Sequence, residues 1–94
     1  MIIIESRQFK DELRAIAFHI RKDKLSASIT FVKNLKKRIK LLIEFPYQHR
    51  KSIYFNDDGV RDKVYMGYTI VYEVDKDKNT LEVLSIFNQN LPDL

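Results

Sequence analysis

The chain has 94 residues and a mass of 11.2 kDa, and its 17 Lys plus Arg against 13 Asp plus Glu leave a formal +4 at pH 7. A chain of this size buries only about 60 to 65% of its unfolded surface around a single core, which excludes a large multidomain enzyme, and the lack of cysteine excludes disulfide staples, thiolate zinc sites and thiol nucleophiles. Apolar runs such as Ile2-Ile3-Ile4 and Leu41-Leu42-Ile43 fall far short of the ~18 residues of a membrane span, so no membrane partner is expected and a cytoplasmic location fits.

Residues 1–5 form a short β-branched run and read as a strand. Ser6 offers an oxygen to the free amides of a first helical turn, Asp11 and Glu12 suit its positive end, and Arg21 and Lys22 its negative end. Phe9, Leu13, Ile16 and Ile20 share one face, predicting a helix over about residues 7–22. After the polar break Asp23-Lys24, the ridge Ala27, Phe31, Leu35, Ile39 and Leu42, supplemented by Ile43, predicts a second helix. Asp23 or Ser26 can cap it, and Pro46 should stop it near Glu44. So short a link folds the two helices back as an antiparallel hairpin.

Four strand patterns follow, over residues 52–55, 60–65, 68–74 and 80–87, separated by turn-forming clusters such as Met66-Gly67. The expected architecture is α+β in one domain over residues 1–94, ordered β-α-α-β-β-β-β. A helical hairpin packs on one face of a small antiparallel sheet, and residues 88–94 form a loose tail. In the last strand Leu81, Val83 and Phe87 alternate one way and Leu84 and Ile86 the other, so apolar residues on both sides suggest a central strand or a face that a partner covers.

The second helix holds Lys24, Lys33, Lys36, Lys37, Arg38 and Lys40 against the lone acid Glu44. Its lysines lie off the apolar ridge, so a solvated outer face accounts for them. A second basic group, His49-Arg50-Lys51, precedes Arg61 and Lys63, which strand alternation points to one face. These five residues are the candidates for binding an anionic target. Phosphoryl transfer on RNA needs a cation near the developing charge and a group that moves a proton, roles open to such side chains. Pairing of Arg61 with a carboxylate, and solvent exposure of the loop charges, explain them equally well. His19 and His49 share no metal-ligand spacing. Asp75, Asp77, Asn79 and Glu82 mimic a calcium loop whose required glycine is replaced by Thr80. No metal and no cofactor is expected.

The order of elements resembles the RelE/ParE superfamily, the toxins of bacterial type II toxin-antitoxin pairs. The resemblance rests on the helix from Phe9 to Ile20, the Ala27-x-x-x-Phe31 start of the next, the ending LIEFP from Leu42 to Pro46, the Val60-Arg61 pair, and the strands YTIVYEV from Tyr68 and LEVLSI from Leu81. It implies a cognate antitoxin that wraps and blocks the toxin, with Leu84 and Ile86 as its expected contacts. RelE-like members cleave mRNA in the ribosomal A site, and on that branch Arg61 and Lys63 stand for the strand cations. Thr69 occupies the place of a further arginine, Phe87-Asn88-Gln89-Asn90 replaces a basic or histidine-containing ending, and no tyrosine follows Tyr72. ParE-like members poison DNA gyrase without a nuclease site, and the resemblance favours that branch by elimination. The alternatives are a ribosome-dependent mRNA endonuclease and a degenerate member that only binds antitoxin.

Overall fold

The computed structural model describes residues 1–88. The loose tail expected over 88–94 lies, beyond Asn88, outside the described residues. The elements run β1 (Ile2–Glu5), α1 (Arg7–Asp23), α2 (Leu25–Leu41), β2 (Val60–Tyr65), β3 (Tyr68–Asp75) and β4 (Thr80–Asn88). This is the expected α+β arrangement of a helical hairpin across one face of a sheet. Phe9, Leu13, Phe31, Leu35, Ile39 and Leu42 from the helical half pack on Ile70, Tyr72, Val74, Leu81, Val83 and Ile86 of the strands.

Ser6 begins α1 as expected: its Oγ accepts from the Phe9 amide at 3.0 Å, and its hydroxyl donates to the Leu84 carbonyl at 2.8 Å. Asp11 and Glu12 lie past the first turn. Glu12 Oε1 serves packing instead, accepting from Ser85 Oγ at 2.7 Å and the Ile86 amide at 3.1 Å. Neither Asp23 nor Ser26 caps α2, because the joint is only Lys24, whose extended backbone starts the helix without a side-chain bond. Ser28 rather than Ala27 takes the inner position, and its Oγ locks the hairpin by donating to the Ala17 carbonyl at 2.8 Å. α2 ends at Leu41 rather than Glu44, since Leu42 and Glu44 donate to the carbonyls three residues back and tighten the chain out of the helix.

The sheet order is β1-β4-β3-β2, with β2, β3 and β4 antiparallel. Met66 and Gly67, at φ 49° and 83°, give the β2–β3 hairpin the two left-handed residues of a type I′ turn. β1 pairs parallel with β4, Ile2 opposite Thr80 through Glu5 opposite Val83, so the sheet is mixed rather than wholly antiparallel. Its partner arrives only after the helices have crossed over, a connection that parallel pairing requires.

Two further expectations change. Residues 52–55 form no strand; a single bridge joins Lys51 to Arg61. Side-chain bonds bend the segment instead: Ser52 Oγ accepts from the Tyr54 amide, and Asp62 Oδ2 accepts from the Ile53 amide. It crosses the sheet face away from the helices, where Tyr54 meets Phe87 edge to face at 5.1 Å. In β4 the pairing jumps from Val71–Ser85 to Tyr72–Val83, leaving Leu84 as a bulge. The extra residue resets the alternation, so Ile86 joins Leu81 and Val83 in the core while Phe87 turns outward. Leu84 and Ile86 therefore do not share a face.

Candidate functional site

Arg61 lies opposite Tyr72 and Lys63 opposite Ile70, so both cations share one face, as strand alternation predicted, and it is the helix-facing one. They stand past the end of α2, where the loop after Leu42 passes over them. Among the described residues the Arg61 guanidinium forms no ion pair with a carboxylate. Nε donates to the Asp58 carbonyl at 2.9 Å, and Nη1 to the carbonyls of His49 at 3.1 Å and Tyr47 at 3.4 Å. Its plane also lies over the Tyr47 ring, 5.0 Å from the centroid. Beside it the buried Tyr72 hydroxyl donates to the Pro46 carbonyl at 2.8 Å. Burial, reinforced by Asp62 and opposed by Arg61, raises the Tyr72 pKa to about 12. Arg61 and Tyr72 together fasten residues 46–49 onto the sheet.

That fastening carries His49 to the mouth of a cavity of about 280 Å³ between the end of α2 and β2, which Arg38, Glu44, Gln48 and Lys63 also line. Burial lowers the His49 pKa from 6.5, and the Lys63 charge lowers it further, so the ring is mostly a neutral base at pH 7. Burial likewise lowers the Lys63 pKa, with Arg38 as the second cause. The pocket therefore gathers a base and two cations whose like charges oppose one another. Its apolar lining comes from Leu41, Leu42 and Phe45, of which Phe45 is 67% exposed.

The five candidate target-binding residues thus divide. His49 and Lys63 line this cavity, and Arg61 holds the loop that carries His49. Arg50 instead reaches the fully buried Asp62 carboxylate at 3.6 Å, and Lys51 pairs with Asp58 on the open surface. Arg38 was missed because its helix read as a solvated face; its place in the last turn, one turn before the chain crosses β2, was the available signal. Of the expected antitoxin contacts, Leu84 is half-buried at the bulge and Ile86 is 1% exposed within the core.

A helical hairpin on a mixed four-stranded sheet, with a pocket lined by Arg38, His49 and Lys63 where the second helix ends, defines a small α+β protein. The sequence matches the model of the ParE toxin of the type II toxin-antitoxin system parDE over residues 3–90. The chain belongs to this family of toxins, within the RelE/ParE superfamily that it resembles in sequence. Its fold is similar to that of the chromosomal ParDE toxin-antitoxin system from P. aeruginosa, with a TM-score of 0.74 at 18% identity over 94% of this chain and 95% of that one. It is similar also to the intact E. coli RelBE toxin-antitoxin complex (TM-score 0.68, 20% identity, 96% and 98% covered) and to the isolated E. coli RelE toxin (0.67, 20%, 98% and 87%). A search of curated protein sequences finds no significant match. No described helix is long and apolar enough to cross a membrane.

Proposed function

We propose that this toxin inhibits growth by poisoning DNA gyrase and is neutralised by a cognate antitoxin, in keeping with the toxin-antitoxin assemblies among its structural neighbours. The observation that carries the gyrase reading is the engagement of Arg61. A nuclease would aim this guanidinium at a scissile phosphate. Here three backbone carbonyls and a tyrosine ring hold it in a structural role. Thr69, at the position where RelE-like sequences carry a further arginine, is buried and points to the opposite face. Target contact then falls to the apolar rim around Phe45, the His49 ring and the cation Lys63. Leu84 is the accessible member of the proposed antitoxin pair.

One observation favours the ribosome-dependent nuclease: His49, Lys63 and Arg38 meet in a single pocket, where a neutral imidazole can take a proton beside two charges. The deciding experiment expresses the toxin without its antitoxin, maps mRNA ends on ribosomes and assays trapped gyrase cleavage complexes with the same purified protein. Gyrase complexes without A-site cuts are expected; A-site cuts without gyrase complexes overturn the reading. Co-expression with each adjacent small open reading frame should recover a tight complex that restores growth, and failure of every one to bind would remove the antitoxin from the proposal.

A further inference from the structure

The arrangement of α2, the loop after it and β2 gathers more basic than acidic side chains in one recess. Arg38, His49 and Lys63 line one concavity, and none of the ion pairs among the described residues includes any of them. Glu44 lines the same cavity, one acid among three basic side chains; burial and neighbouring positive charge depress the Lys63 and His49 pKa values. A fold gains nothing by holding like charges in a recess, whereas a bound anion removes the repulsion.

We propose that Arg38, His49 and Lys63 form a binding site for a phosphate oxyanion. The three donors differ in a useful way: Arg38 offers a planar fork, Lys63 a point charge, and His49 a ring N–H that becomes a third charge on protonation. A phosphate presents enough oxygens to engage all three at once, which the two oxygens of a carboxylate do less completely. The site is concave and its floor is rigid, because the His49 carbonyl is tied to Arg61 and the ring edge rests on Tyr72 at 6.5 Å. A cavity of about 280 Å³ exceeds a single phosphate and leaves room for the groups on either side of a phosphodiester. This inference names the ligand chemistry of the face proposed above to meet the target, and so rests on that reading of the face. A protein that traps gyrase yet binds no phosphate refutes the inference alone.

The test is calorimetric titration of the purified full chain with inorganic phosphate, followed by competition with a short DNA duplex. Saturable phosphate binding is expected, weakened about tenfold or more by Arg38→Gln or Lys63→Gln, the loss of one charge-assisted hydrogen bond. Lys33→Gln and Lys37→Gln, on the outer face of the same helix, should leave it unchanged. Circular dichroism establishes that each variant is folded. If the duplex competes and the same variants weaken it, the phosphate is a nucleic-acid backbone group; if phosphate binds and the duplex does not compete, it is a free phosphate. A second arm uses sulfate, whose charge is constant over the range. Its affinity should rise as pH falls from about 8 to about 5.5 and His49 protonates against Arg38, Lys63 and Glu44, with Arg61 and Tyr72 behind the ring, and His49→Gln should flatten that rise. Absence of saturable phosphate binding, equal weakening by the outer-face variants, or tight binding of an acidic peptide that phosphate fails to displace overturns the proposal.

Discussion

Tyr72 has its hydroxyl where ionisation breaks a bond and buries a charge. Its pKa of about 12 exceeds the ordinary 10. The folded state therefore holds this proton more tightly than the unfolded chain, and the contribution is complete below pH 10 and lost as pH rises through 12. Ultraviolet titration should show one tyrosinate forming only near pH 12, together with loss of folded structure. Tyr72→Phe deletes the bond to Pro46 and should cost about 1 kcal/mol, or roughly 4 to 8 °C in Tm for a domain of this size. Arg61→Ala removes the guanidinium from three carbonyls and should cost about 1 to 2 kcal/mol in urea unfolding. Arg61→Lys restores little of it, because an ammonium cannot reproduce the fork. If Arg61 acts through the fold, growth inhibition across these variants follows the folded fraction; a folded, stable Arg61→Ala with no toxicity would instead give Arg61 a direct part in attack on the target.

At the level of elements, Ser6 joins two events that lie at opposite ends of the sequence. Its oxygen starts α1, and its proton goes to the Leu84 carbonyl that the bulge in β4 exposes. Ser6→Ala should therefore destabilise by about 1 to 2 kcal/mol, more than an isolated cap of average strength, as measured by chemical denaturation. Asp62 does similar work for the segment that crosses the outer face. Asp62→Ala removes the acceptor of the Ile53 amide and the partner of Arg50, so hydrogen exchange at Ile53 and Tyr54 should accelerate while α1 and α2 keep their protection. The helices were legible in the sequence because their signals are local: a serine cap, a four-residue ridge, basic last turns. The bent path of residues 52–55 was not, because β-rich composition there is overruled by Asp62 reaching over from β2. Nor was the bulge, since a single extra residue in β4 leaves no mark except apolar residues of both parities, which read as a two-faced strand. The site was legible as a list of cations but not as a partition. Only the fold shows that Arg50 and Lys51 pair with Asp62 and Asp58 away from the cavity, that Arg61 is occupied with backbone, and that Arg38 lines the cavity beside His49 and Lys63.

For the whole molecule, the position of β4 between β1 and β3 sets when the protein can exist at all. Ile2 in β1 finds its partner in Thr80, far along the chain, and the core lacks Leu81, Val83 and Ile86 until those residues appear. Such distant pairing is slow to close and cannot be approached piecemeal. During translation the helical hairpin can form early, but the sheet that holds residues 46–49 over the cation pocket waits for its interior strand. Nascent chains arrested before Thr80 should be cleaved readily by protease, with resistance arising abruptly once β4 has left the ribosome. Arrested chains that gain resistance before β4 emerges would sink this expectation. Fragments of this chain that stop before β4 then carry no assembled toxin fold, and whatever harm the folded protein does is withheld until its interior strand has taken its place between β1 and β3.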